Sequence, residues 1–198
     1  MRLLGGIFIG GAARRMGGFP KGLLPDPAEG LPLVARLAEL LRQIGADCVL
    51  VGERPEYQAL GLAMLPDSPP GIGPLGGLAA LMEAAHANKN SGVLALACDL
   101  PAVPLPLLCR LADGSSSDDY DALAPRQPDV GRWEALCARY QPTALPGLRQ
   151  TLASGERSLQ ALFRRLRVQE LKTTDAERRS LTDWDEPGDL PPGLRPYS

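Results

Sequence analysis

Histidine is almost missing from this chain. His86 is the only one in 198 residues, so catalytic triads and histidine-ligated metal centres are largely excluded. Its place in an alanine-rich, helical-looking stretch predicts an exposed helix position. No serine stands in a Gly-x-Ser-x-Gly elbow, which removes the hydrolase nucleophile of that motif. The cysteines, Cys48, Cys98, Cys109 and Cys137, lack the two-residue spacing of a zinc knuckle and are expected to be buried free thiols. A long basic run is absent as well. With 21 Lys and Arg against 23 Asp and Glu, the electrostatic footprint of a nucleic-acid-binding surface is missing, and a free nucleotide fits better than DNA or RNA. The apolar start, residues 3–9, is too short for a leader or a membrane span, so a cytoplasmic protein without a membrane partner is expected. Carboxylate, lysine and backbone chemistry remains.

What the chain does have is a glycine-rich loop after its first apolar segment. Residues 7–22 read Ile7-Phe8-Ile9-Gly10-Gly11-Ala12-Ala13-Arg14-Arg15-Met16-Gly17-Gly18-Phe19-Pro20-Lys21-Gly22. Glycines let backbone N–H groups approach a ligand, and arginine and lysine add cationic donors. Glycines alone would suggest only a turn; with Lys21 and two arginines the chemistry served is a polyphosphate. Lys21 lies between Pro20 and Gly22, so this is no P-loop, and the three-glycine dinucleotide fingerprint is absent.

The length suits one α/β domain, expected over residues 1–190 with a Pro-rich tail at 191–198. Residues 3–9 read as a buried strand. Residues 31–44 carry Leu33, Leu37, Leu40, Leu41 and Ile44 at helical spacing, with Gly45 placed to end the helix. Residues 48–51 read as the next strand, ending at Gly52. Strand, loop, helix and strand form a βαβ unit, which implies a parallel sheet with its ligand at the carboxyl ends of the strands. A short strand at 62–65 leads into a proline- and glycine-dense turn from Pro66 to Gly77, before a helix at 78–87 whose N-terminus attracts an anion.

The most apolar strand, residues 92–98, ends in Asp99-Leu100-Pro101. A carboxylate at that place is suited to a hard cation such as magnesium, or it caps the turn before Pro101. Beyond it the pattern predicts a helix at 104–111, a Ser/Asp-rich loop at 113–121, strands at 120–125 and 133–140, and helices at 145–152 and up to 166. Ser154 or Ser158 caps the last of these. Arg157 is a candidate contact for a phosphorylated substrate, or a helix-surface arginine.

Four segments in order resemble the nucleotidyltransferases related to the molybdenum cofactor guanylyltransferases: the loop at 10–21, Asp67 with Gly73-Pro74-Leu75-Gly76-Gly77, Cys98-Asp99-Leu100-Pro101, and residues 183–190. The resemblance implies a Rossmann-like three-layer α/β/α sandwich with a predominantly parallel sheet. It also implies transfer of GMP from GTP to the terminal phosphate of molybdopterin, with release of pyrophosphate. Lys21 and Arg15 would be catalytic, and Phe8, Ile9, Gly10, Gly11, Lys21, Gly52, Asp67, Gly73, Pro74, Leu75 and Asp99 would bind nucleotide, with Phe8 and Ile9 lining the base pocket. Asp99 and Asp185 would hold Mg2+. Implied partners are GTP, a molybdopterin-type acceptor, and cofactor-delivery or molybdoenzyme proteins. The chain departs from the pattern at Phe8-Ile9 (usually Leu-Ala), Pro20 (often acidic), Glu134-Ala135 (often His-Pro or Glu-Pro) and Glu186 (usually Thr). Two alternatives stand beside this reading: a cytidylyltransferase or other small-substrate nucleotidyltransferase, which Gly10 disfavours, and a non-catalytic nucleotide-binding sensor or cofactor chaperone.

Overall fold

The computed structural model describes residues 2–10, 19–27, 30–114, 119–127, 130–182 and 184. In chain order the elements are β1 (Leu4–Phe8), α1 (Leu33–Gln43), β2 (Asp47–Val51), β3 (Met64–Leu65), α2 (Pro74–Ala87), β4 (Val93–Ala97), α3 (Leu105–Asp113), β5 (Ala122–Ala124), β6 (Cys137–Tyr140), α4 (Leu145–Ala153), α5 (Leu159–Phe163), β7 (Val168–Glu170) and α6 (Asp175–Ser180). The strands form one seven-stranded sheet in the order β3-β2-β1-β4-β6-β5-β7. β1 pairs in parallel with β2 and β4, β2 with β3, and β5 with β7. β6 runs against both neighbours, so β5 points the same way as β4, and the carboxyl ends of β1 to β5 share one edge.

The centre of the sheet is built on two adjacent glycines. Residues alternate faces along a strand, so Leu4 and Phe8 join the layer with Leu78, Leu81 and Leu148, while Ile7 packs in the layer with Leu37, Leu41 and Leu107. Gly5 and Gly6 fall on opposite faces between them. A Cβ on Gly5 would lie 2.6 Å from Leu41 Cδ1, and one on Gly6 would lie 2.4 Å from Leu81 Cδ2. Their missing side chains let α1 and α2 close onto β1 from both sides, giving the expected three layers.

The local readings are corrected in several places. α2 starts at Pro74, with Gly73 as its N-cap, so the last four residues of the turn expected at Pro66 to Gly77 form the first helical turn; proline is favoured there because its missing N–H has no intrahelical partner to lose. The second of the paired late strands shortens to Cys137–Tyr140, and Trp133 keeps only an isolated bridge to Arg126. Ser158 caps α5 by accepting from the Gln160 N–H. β7 and α6 were not anticipated. Only two of the three residues of β7 are even half-buried, too short for a periodicity signal, but α6 carries a legible one: Thr174 and Glu177 form a capping box. His86 is exposed. Cys98 and Cys137 are buried, whereas Cys48 and Cys109 are only half-buried. Among the described residues no helix is long and apolar enough to cross a membrane. The tail at 191–198 lies outside the described residues.

Candidate active site

The chain reverses its direction of growth between β1 and β4: β2 and β3 add on one side of β1 and β4 on the other. In open α/β sheets that point opens a crevice at the carboxyl edge, and the predicted residues gather there. Gly10 follows β1, Gly52 follows β2, Asp67 follows β3, Asp99 follows β4, and Gly73-Pro74-Leu75 opens α2.

Lys21 reaches this edge from the end of the glycine loop. Pro20 leads into a 3-10 turn, Lys21–Leu23, and the Lys21 Nζ lies 3.1 Å from Asp99 Oδ2. Both side chains are mostly covered, 13% and 15% exposed, so water screens the pair less than it would a surface ion pair. The two residues, 78 positions apart, are the ones expected to act on phosphate and on metal. A backbone contact secures the Asp99 turn, where the Trp184 N–H donates to the Asp99 carbonyl at 3.2 Å. Trp184 itself is buried against Leu24 and Leu33. Of the late segment at 183–190 only Trp184 is described; Asp185 lies outside the described residues, as do Gly11 and Arg15.

The β2–β3 side of the crevice is built of glycine and one carboxylate. Gly52 has φ +108, and a Cβ there would stand 3.2 Å from the Gly10 N, so these two backbones touch. Above Gly10, by contrast, nothing among the described residues lies within 4 Å of where a Cβ would project. Asp67 is half-buried, and burial raises its pKa above the ordinary 3.8. A Cβ on Gly77 would come within 3.0 Å of Asp67 Oδ1, so the bare first turn of α2 makes room for the carboxylate. Phe8 and Ile9 do not line an open base pocket with their side chains: they are 6% and 2% exposed and point into opposite core layers. Strand alternation buries them, leaving only their backbone near the edge.

Beyond β5 the sequence reading missed a braced loop. The Arg126 guanidinium sits 5.2 Å over the Trp133 ring, and the Gln160 amide bonds both the N–H and the C=O of Trp133. Glu134 accepts from the Gln127 amide, a role within the loop itself. Arg157 is exposed. Among the described residues no group of three or more His, Cys, Asp and Glu side chains could hold a metal. Asp99 alone still fits magnesium, which binds through one or two carboxylates plus substrate phosphates.

A family model, the MobA-like NTP transferase domain, matches residues 5–171. The chain belongs to this family. As a MobA-like protein it is a nucleotidyltransferase, and it is 35% identical over 187 residues to a molybdenum cofactor guanylyltransferase of Pseudomonas putida, covering 91% of this chain and 92% of that one. The fold is also that of a molybdopterin-guanine dinucleotide biosynthesis protein A from Archaeoglobus fulgidus (TM-score 0.72, 23% identity, 94% of each chain). A 2-C-methyl-D-erythritol 4-phosphate cytidylyltransferase from Thermus thermophilus shares it too (TM-score 0.63, 17% identity, 96% and 95% of the two chains). Since the fold is common to guanylyl- and cytidylyltransferases, base choice rests on individual residues.

Proposed function

We propose that this MobA-like protein transfers GMP from GTP to the terminal phosphate of a molybdopterin-type acceptor. An acceptor phosphate oxygen attacks the α-phosphorus, the bond from that phosphorus to the bridging oxygen breaks, and pyrophosphate leaves. The observation that carries the reading is the Lys21–Asp99 contact at 3.1 Å, a cation and a carboxylate side by side at the edge where open α/β sheets bind their ligands. A terminal phosphate is already largely ionised near neutral pH, so the enzyme supplies alignment and charge stabilisation rather than a general base. That agrees with a site to which His86, in the last turn of α2, does not belong. Lys21 holds the phosphates and offsets charge on the departing pyrophosphate. Asp99 would hold Mg2+, which when bound neutralises phosphate charge; Arg15 and Asp185 keep the roles the resemblance implies.

Guanine is favoured by the glycine at position 10, which carries no side chain, and by Asp67, whose carboxylate can accept from the N1 and N2 donors of that base. No hydrogen bond or ion pair joins Asp67 to another described residue. Thermal-shift measurements with GTP, CTP, ATP and UTP plus magnesium test the assignment: the largest shift is expected for GTP, and equal shifts would overturn it. Pyrophosphate release in the presence of molybdopterin separates the enzyme from a sensor that binds nucleotide and turns nothing over.

Asp67 also gives a pH prediction with a definite sign. Its folded pKa is raised, so its ionisation opposes folding, and this contribution to stability is lost as the pH rises through the folded value. Asp67→Asn is therefore expected to raise the Tm of the free protein at pH 7 and to leave it unchanged well below pH 4. The same substitution should abolish the preference for GTP, and in the unaltered protein GTP affinity should fall as the pH is lowered through the raised pKa. Calorimetric titration and melting curves across pH measure both effects.

A further inference from the structure

Tyr57 belongs to none of the segments used so far. It lies in the 3-10 turn Pro55–Leu60 that follows β2, and its side chain is completely buried. A phenol hydroxyl loses hydration on burial unless a partner replaces the water. Here the partner is the backbone of the phosphate loop: the Gly22 N–H donates to Tyr57 Oη at 3.1 Å. Burial raises the phenol pKa well above its usual range, so the group stays neutral.

The surroundings of this bond give it a use. A Cβ on Gly22 would lie 3.0 Å from Tyr57 Oη and 3.1 Å from Cys98 Cβ, so Gly22, Tyr57 and Cys98 meet in one close-packed contact. Gly22 directly follows Lys21, and Cys98 directly precedes Asp99. The ammonium and carboxylate that meet above are thus each anchored one residue away on the same buried ring. An apolar ring alone would fill the space; the hydroxyl adds a directional link to the loop, beside the contact that the Gly22 N–H makes with the Cys98 side chain.

Resting on the phosphate role of Lys21, we propose that Tyr57 is a positioning residue: by accepting the Gly22 N–H it sets the backbone at Lys21 so that the ammonium stands over Asp99 at the phosphates. The substitution that isolates this role is Tyr57→Phe, which keeps the ring and removes the acceptor. The matched control is Tyr140→Phe, since Tyr140 is another fully buried tyrosine, with its hydroxyl donating to the Ala135 carbonyl at 2.8 Å and no contact to Lys21. The probe is inorganic pyrophosphate with magnesium, followed by calorimetry on the full chain, so that neither acceptor nor base enters the measurement.

Both variants are expected to lower Tm by similar amounts. Tyr57→Phe should also weaken pyrophosphate binding about 10-fold, the scale of one buried hydrogen bond left unmade, and should deprotect the Gly22 amide in hydrogen exchange, whereas Tyr140→Phe should do neither. Wild-type pyrophosphate affinity in Tyr57→Phe would overturn the positioning role, and failure of the unaltered protein to bind pyrophosphate would overturn the phosphate reading beneath it. If Tyr57→Phe does not fold, Gly22→Ala disturbs the same contact from the other side and is expected to give the same loss.

Discussion

Lys21→Ala is expected to lower kcat/KM for nucleotidyl transfer by about 100- to 1000-fold, the scale of removing one preorganised charge-stabilising group from a transition state, while the protein stays folded. Stability and activity should respond differently to the pair. Alone, the substitution leaves the Asp99 carboxylate, 15% exposed, without the ammonium at 3.1 Å, and should cost about 1–3 kcal/mol. Asp99→Ala removes the carboxylate 3.1 Å from the Lys21 ammonium and should be as inactive. The double variant removes both charges, so it should melt above Lys21→Ala, in which the Asp99 carboxylate has lost the ammonium, while recovering no activity. Single-turnover kinetics with urea unfolding of the four proteins measures the cycle. A folded Asp99→Ala protein with unimpaired magnesium-dependent turnover would remove the metal assignment.

The second large effect is expected far from any chemistry, at Gly6. Its Cβ position is occupied by Leu81 Cδ2 at 2.4 Å and by Val51 Cγ2 at 2.9 Å, both on fully or almost fully buried side chains. Val51 is β-branched and stiff, and Leu81 is enclosed in the layer under α2, so neither moves aside without displacing others. Gly6→Val should cost about 3 kcal/mol or more, lowering Tm by roughly 6–12 °C for a chain of this size. Gly6→Ala combined with Leu81→Ala should be less destabilised than the sum of the two single changes, because the shortened side chain vacates the space the new methyl takes. Strict additivity in chemical denaturation would show that helix α2 is not what confines Gly6.

How much of this was readable beforehand depended on whether the signal was local. The glycine loop, the amphipathic spacing of Leu33, Leu37 and Leu41, and the apolar run before Asp99 are properties of adjacent residues, and they led to the βαβ start and the carboxyl-edge site. For Phe8 and Ile9 the local signal was incomplete: proximity to the loop in sequence places their backbone near the edge, but strand alternation buries both side chains. The start of α2 was placed four residues late because Pro74 and two glycines look like a turn until a helix N-terminus is recognised around them.

Sequence alone was enough for the class of enzyme, since four segments in order carry the resemblance to the family to which the chain belongs. It was also enough for the parallel core, because βαβ connections have one dominant handedness and one ligand edge. Folding was needed for the rest: the antiparallel β6 between β4 and β5, the contact of Lys21 with Asp99, and the Tyr57 hydroxyl beneath both. These join residues 16 to 78 positions apart, and no periodicity or spacing rule reaches that far. Such contacts arise from how helices and strands pack once their apolar faces are buried, so they belong to the assembled sheet rather than to any one stretch of chain.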